Sequence, residues 1–224
     1  MTITYETRHS KRKTISITVE RDRSVVVHAP LGTTKGAIDR IVEKKKSWIK
    51  EKLRHPLKYD NEKRPVEFVS GESVYYMGRE YRLEIRKGGN ETIEIQGSFI
   101  VTSSSRERAR EVFRNWCKSE ARERFVPRVH EIAKRLGVLP SRVSITDSKY
   151  RWGSCTPKGT VTLNWRLVKA PPTVVDYVIV HELAHLKELN HSPDFWTIVK
   201  THAPKQREAR EWLKQHGSAL EANF

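Results

Sequence analysis

The stretch that most constrains this 224-residue chain is His181-Glu182-Leu183-Ala184-His185, which lies inside an apolar run. Val174, Val175, Val178, Ile179, Val180, Leu183, Ala184, Leu186 and Leu189 surround its polar residues on nearly every side, the pattern of a buried helix. At about 100° per residue, His185 lies roughly 40° round from His181 and one turn above it. Two imidazoles so placed reach one metal ion. Glu182 sits about 60° from His185 on the same side, near enough to meet a water on that ion without ligating it. This is the geometry behind the H-E-x-x-H spacing of zinc peptidases. With 9 histidines in the chain, such a motif arises by chance about 0.03 times, so coincidence is a weak explanation. Burying these polar groups without partners costs kilocalories. A zinc ion supplies the partner that backbone carbonyls would otherwise have to provide.

Two ligands leave such a site short, since catalytic zinc usually has three plus water. His191 is the leading third candidate; Glu188, Asp194, Glu208 and His202 are the alternatives. A helix running on to His191 would carry it about 15 Å along the axis from His181. The chain must therefore turn back. Asn190 tolerates the left-handed conformation that ends helices, and Ser192-Pro193-Asp194 starts another. The H-E-x-x-H-x5-H spacing matches the metzincins, except that Glu188 stands where they carry glycine.

Upstream of that helix, predicted from Thr173 to Leu189 with Thr173 and Asp176 as its cap, two strand-like runs span Val143–Ser154 and Thr160–Val168. The turn Thr156-Pro157-Lys158-Gly159 joins them into an expected hairpin. Trp152, Gly153, Ser154 and Cys155 are candidates for an edge along which an extended substrate pairs, with Gly153 permitting close approach. A core hairpin that only braces the helix is the competing reading. Asn164 and Trp165 read as structural, Cys117 as helix packing, and Cys155 as a conceivable inhibitory ligand. Tyr150, Arg151 and His202 are candidate oxyanion donors with nothing to choose between them.

The rest of the chain divides by character. Residues 1–104 read as a β-rich region with one basic helix, from Thr33 to about Leu53; residues 105–224 read as a helical domain containing the motif. KTISITVERDRSVVVHAP suggests a hairpin turning at Arg21-Asp22-Arg23-Ser24, and His55 to Pro65 a linker. Arg106 to Gly137 has helical periodicity, with an interruption or kink expected at Pro127.

Charge bears on partners. The formal net charge is +16, and residues 1–64 hold 17 basic against 8 acidic residues. Such a surface attracts polyanions, nucleic acid included, although a merely solvated surface fits as well. No stretch has the length of a membrane span, and the start MTITYETRHSKRK lacks the apolar core of a secretion signal. Two cysteines are too few for a disulfide framework. A cytoplasmic protein is expected.

The segment YRWGSCTPKGTVTLNWRLVKAPPTVVDYVIVHELAHLKELNHSPDFW, Tyr150 to Trp196, resembles the YgjP-like metallopeptidase family, with a looser match towards both ends. That family is similar to SprT-like proteases, compact zincins. The resemblance implies an α+β fold whose zincin-like domain occupies 105–224. It also implies one Zn²⁺ per chain held by His181, His185 and His191, Glu182 as catalyst, and a polypeptide substrate. The competing readings are a nucleic-acid-associated protein with a structural zinc and a metal-dependent hydrolase of small amides. A structural zinc would have four protein ligands.

Overall fold

The computed structural model describes residues 3–19, 24–54, 67–148 and 151–221. The expected turn at 21–23, the expected linker at 55–65 and Tyr150 lie outside the described residues. The chain divides into two compact units, residues 1–60 and 61–224.

In the first unit, β1 (Glu6–Ser10), β2 (Ser16–Val19) and β3 (Val25–Pro30) form a sheet in the order β1-β3-β2. β2 pairs antiparallel with β3, as the hairpin reading requires, and β1 joins in parallel. Alternation along β3 sends Val25, Val27 and Ala29 into one cluster with Ile38, Val42 and Ile49. Those last three come from α1 (Lys35–Lys44) and α2 (Lys46–Arg54). One continuous helix was expected over this stretch. It breaks at Lys45 (φ −99°, ψ 8°), whose N–H is shared between the carbonyls of Ile41 and Val42. Apolar spacing carries across so tight a break, which hides it from periodicity.

The second unit begins with β4 (Ser73–Tyr76), β5 (Arg79–Lys87), β6 (Thr92–Ile95) and β7 (Ser98–Ser103), in the order β4-β5-β7-β6. α3 (Arg106–Leu136) packs on this sheet through aromatic rings. Phe99 on β7 lies 5.3 Å from Phe113 and 5.2 Å from Trp116, and Tyr76 on β4 lies 5.2 Å from Trp116. Each such pair adds roughly 0.5–1.5 kcal/mol beyond burial. This seam puts the sheet in the same unit as α3. Both belong to the unit spanning residues 61–224. Ser105 caps α3 by accepting from Arg108 N–H, and Gly137, left-handed at φ 66°, ends it. Pro127 lies inside α3, which continues through it without interruption.

β8 (Arg142–Thr146), β9 (Gly153–Cys155) and β10 (Thr160–Asn164) form a third sheet, ordered β8-β10-β9. The expected hairpin needs correcting. Its first arm is two strands: β9 pairs antiparallel with β10, whereas β8 runs parallel to it. The Asn164 amide donates to the carbonyls of Ser148 and Arg151. Its second arm stops at Asn164, whose side chain caps a buried 3-10 helix, Trp165–Lys169. Asp147 accepts from Arg166 (2.6 Å) on that helix and from Arg114 (2.6 Å) on α3. Burial would raise the Asp147 carboxyl, but these donors and Lys118 outweigh it and hold it far below the usual carboxylate range.

Three helices complete the chain: α4 (Pro172–Ala184), α5 (Pro193–His202) and α6 (Gln206–Glu221). The architecture is α+β, as expected. Among the described residues no helix is long and apolar enough to cross a membrane.

Candidate metal centre

α4 starts differently from its sequence reading. Pro171 is its N-cap and Pro172 its first residue, with no side-chain cap. Asp176 instead pairs with Arg128 of α3, at 2.8 and 2.5 Å. The turn between β4 and β5 buttresses this start. Met77 and Gly78 N–H groups donate to the Val168 and Lys169 carbonyls at 2.8 and 3.0 Å.

The helix also ends earlier than predicted, at Ala184, with His185 as C-cap. No described non-glycine residue near the site has positive φ, so Asn190 does not make the turn by a left-handed step. The chain tightens instead: Leu186 and Lys187 N–H groups bond three residues back, to Leu183 and Ala184. No glycine is required at Glu188. Ser192 then caps α5 by accepting from Phe195 N–H, with Pro193 in the first position. This break turns His191 back towards the helix that bears the other two histidines.

The three rings converge. Centroids of His181, His185 and His191 lie 5.2, 5.0 and 4.9 Å apart pairwise. His191 Nε2 is 3.1 Å from His181 Nε2. One ligating nitrogen from each ring falls within 4.8 Å of the others. Among the described residues no fourth His, Cys, Asp or Glu joins the cluster, so Glu188, Asp194, Glu208, His202 and Cys155 stand outside it. Glu188 contributes its main chain: its carbonyl meets His185 Nδ1 at 3.1 Å, which leaves Nε2 to face the cluster.

Burial lowers the His181 pKa to about 4, helped by His185 and His191, and burial with His185 and Arg210 lowers that of His191. Neutral rings with free lone pairs result, the form a metal binds. Glu182 is 7 % exposed; burial raises it to about 7, against the pull of Arg151. Gly153 lies directly against it: a Cβ there would sit 2.6 Å from Glu182 Cγ and 2.7 Å from Oε1. The glycine's close approach is thus to the carboxylate.

The other candidates along β9 have separate lives. Trp152 is buried and its carbonyl accepts from Asn164 N–H. Ser154 shares a 2.7 Å hydrogen bond with Thr162 across the sheet. Cys155, half-buried, is pushed up to about 11 by burial and by Glu182. Both cysteines are free thiols.

The sequence reading missed the floor under the imidazoles. Phe195, fully buried, packs 5.0, 4.6 and 4.7 Å from His181, His185 and His191. Trp196 stacks on His191 at 5.8 Å. Their place at the start of α5, four and five residues past His191, was the available signal.

The model of the YgjP-like family, described as a metallopeptidase domain, matches residues 13–216. The chain belongs to the YgjP-like metallopeptidase family. No curated protein and no solved structure gave a match. Membership makes the chain a metal-dependent peptidase of zincin-like fold, acting on polypeptides. The donor set suits a metal. Two imidazoles on a tetrahedral zinc, with Zn–N of about 2.0–2.1 Å, stand about 3.3 Å apart, and 3.1 Å separates His181 from His191.

Proposed function

We propose that this chain is a zinc-dependent endopeptidase in which His181, His185 and His191 hold one zinc ion and Glu182 is the general base. One observation carries the reading: three imidazoles converge beside a buried carboxylate, with no fourth ligand among the described residues. A structural zinc has four protein ligands, whereas a catalytic one keeps a place for water. This weighs against the structural-zinc alternative.

When bound, the zinc would acidify a water and polarise the scissile carbonyl. Glu182 takes the proton from the attacking water on a carboxylate oxygen and hands it to the leaving amine nitrogen. A carboxyl poised at about 7 exchanges that proton in both directions near neutral pH. Gly153 gives the carboxylate its room. Phe195 fixes the ring planes, and the Glu188 carbonyl fixes the His185 tautomer. β9 is an edge strand of its sheet and packs against α4. Its open main chain is suited to pairing with an extended polypeptide, which favours a groove over a small-amide pocket.

The test is zinc content and hydrolysis of an unfolded protein, measured together. Glu182→Gln should retain one zinc per chain and lose hydrolysis. Wild-type rates in that variant would refute the assignment.

A further inference from the structure

Arg210 on α6 is exposed, and its guanidinium carbon lies 5.0 Å from the Trp196 ring centre. Trp196 stacks on His191 at 5.8 Å and lies 6.0 Å from His181. The cation is thus one ring removed from two of the three imidazoles. Elsewhere in the unit carboxylates hold Arg128, through Asp176 and Glu131, and Arg114 and Arg166, through Asp147. Arg210 has no carboxylate partner among the described residues.

An uncompensated cation beside a site for a divalent metal opposes metal binding, so its placement calls for an anion that arrives later. We propose that Arg210 receives a carboxylate of the polypeptide substrate close to the scissile bond, making the site selective for acidic substrates. The planar fork can accept a carboxylate through two N–H groups while its face stays on Trp196. Trp196 holds the fork in place, so little side-chain freedom remains to be lost on binding. The carboxylate comes from an Asp or Glu side chain or from the substrate's C-terminus. Recognition by Arg210 is the same for both.

This inference rests on the peptidase reading, but its first readout is binding, which does not require turnover. The probes are fluorescein-labelled hexapeptides of Ala and Leu carrying one Glu or one Gln, each with a free or amidated C-terminus. Fluorescence anisotropy is measured with zinc-loaded Glu182→Gln protein, with and without Arg210→Gln. A peptide with a usable carboxylate should bind about tenfold tighter than the amidated Gln peptide, and Arg210→Gln should remove that difference. Preference for the amidated Glu peptide assigns a side chain; preference for the free-acid Gln peptide assigns the C-terminus. Arg210→Lys should restore part of the preference, with zinc content and melting temperature unchanged. Equal binding of all four peptides, or a preference untouched by Arg210→Gln, overturns the proposal. Hydrolysis by the Glu182-bearing chain is scored separately. Its absence alongside Arg210-dependent binding would sink the peptidase reading while leaving the carboxylate site standing.

Discussion

Glu182 and Gly153 depend on each other. With a Cβ at 153 destined for 2.6–2.9 Å from the Cγ, Oε1 and Cδ atoms of Glu182, Gly153→Ala must displace the carboxylate. A displacement of about 1 Å costs roughly 10²-fold in rate, so activity should fall by about that factor while zinc content holds. Equal loss of metal would place the glycine's role in the histidine cluster instead. Glu182→Gln removes the proton acceptor outright and should cost roughly 10²–10⁴-fold at unchanged zinc, by the usual worth of a positioned base. At this scale His181, Glu182 and His185 were legible because their i, i+1, i+4 spacing is set by one helix. Phe195, Trp196 and Arg210 were not, since they reach the imidazoles only through the fold-back after α4. Their sequence separations carry no trace of that return.

α4 is positioned from both ends. At its start, Gly78 in the β4–β5 turn has φ +78°, and a Cβ there would meet Pro171 Cγ at 2.7 Å and Cα at 2.8 Å. Gly78→Ala should therefore destabilise the chain by about 2–4 kcal/mol, read as a lower denaturant midpoint at unchanged slope. A neutral result would mean that the turn does not brace the helix. At its end, the tightened bonds of Leu186 and Lys187 replace the glycine turn that the spacing suggested. Strands β2 to β7 follow from alternation and turn residues. The run after Asn164 shows where such patterning fails: Trp165–Lys169 is apolar enough for a strand, but the Asn164 cap and the Asp147–Arg166 pair coil it into a 3-10 helix. Those partners are distant in sequence or local in a way that hydropathy does not register.

Across the second unit, α6 is tied to the interior by Lys169, whose Nζ donates to the Leu220 carbonyl at 3.2 Å. Burial lowers this lysine from its ordinary 10.5 to about 7. Between those values the unfolded chain binds a proton that the folded chain does not, so this group makes stability rise with pH from about 7 to 10.5. Lys169→Met should flatten that rise; an identical pH dependence of melting in the variant would contradict it. The division of the chain after residue 60 falls inside the linker expected at 55–65, while the aromatic seam from Tyr76 to Trp116, which spans the composition shift at 104, depends on long-range contacts that composition does not register. The proposed function turns on a single cation bound by residues from one helix, its C-cap and the loop that follows. Crystals grown with zinc and measured at its absorption edge test this most directly. One anomalous peak within about 2.0–2.1 Å of nitrogens from His181, His185 and His191, with solvent in the remaining position, is the predicted result. A peak elsewhere, or one closed off by a fourth side chain, would contradict it.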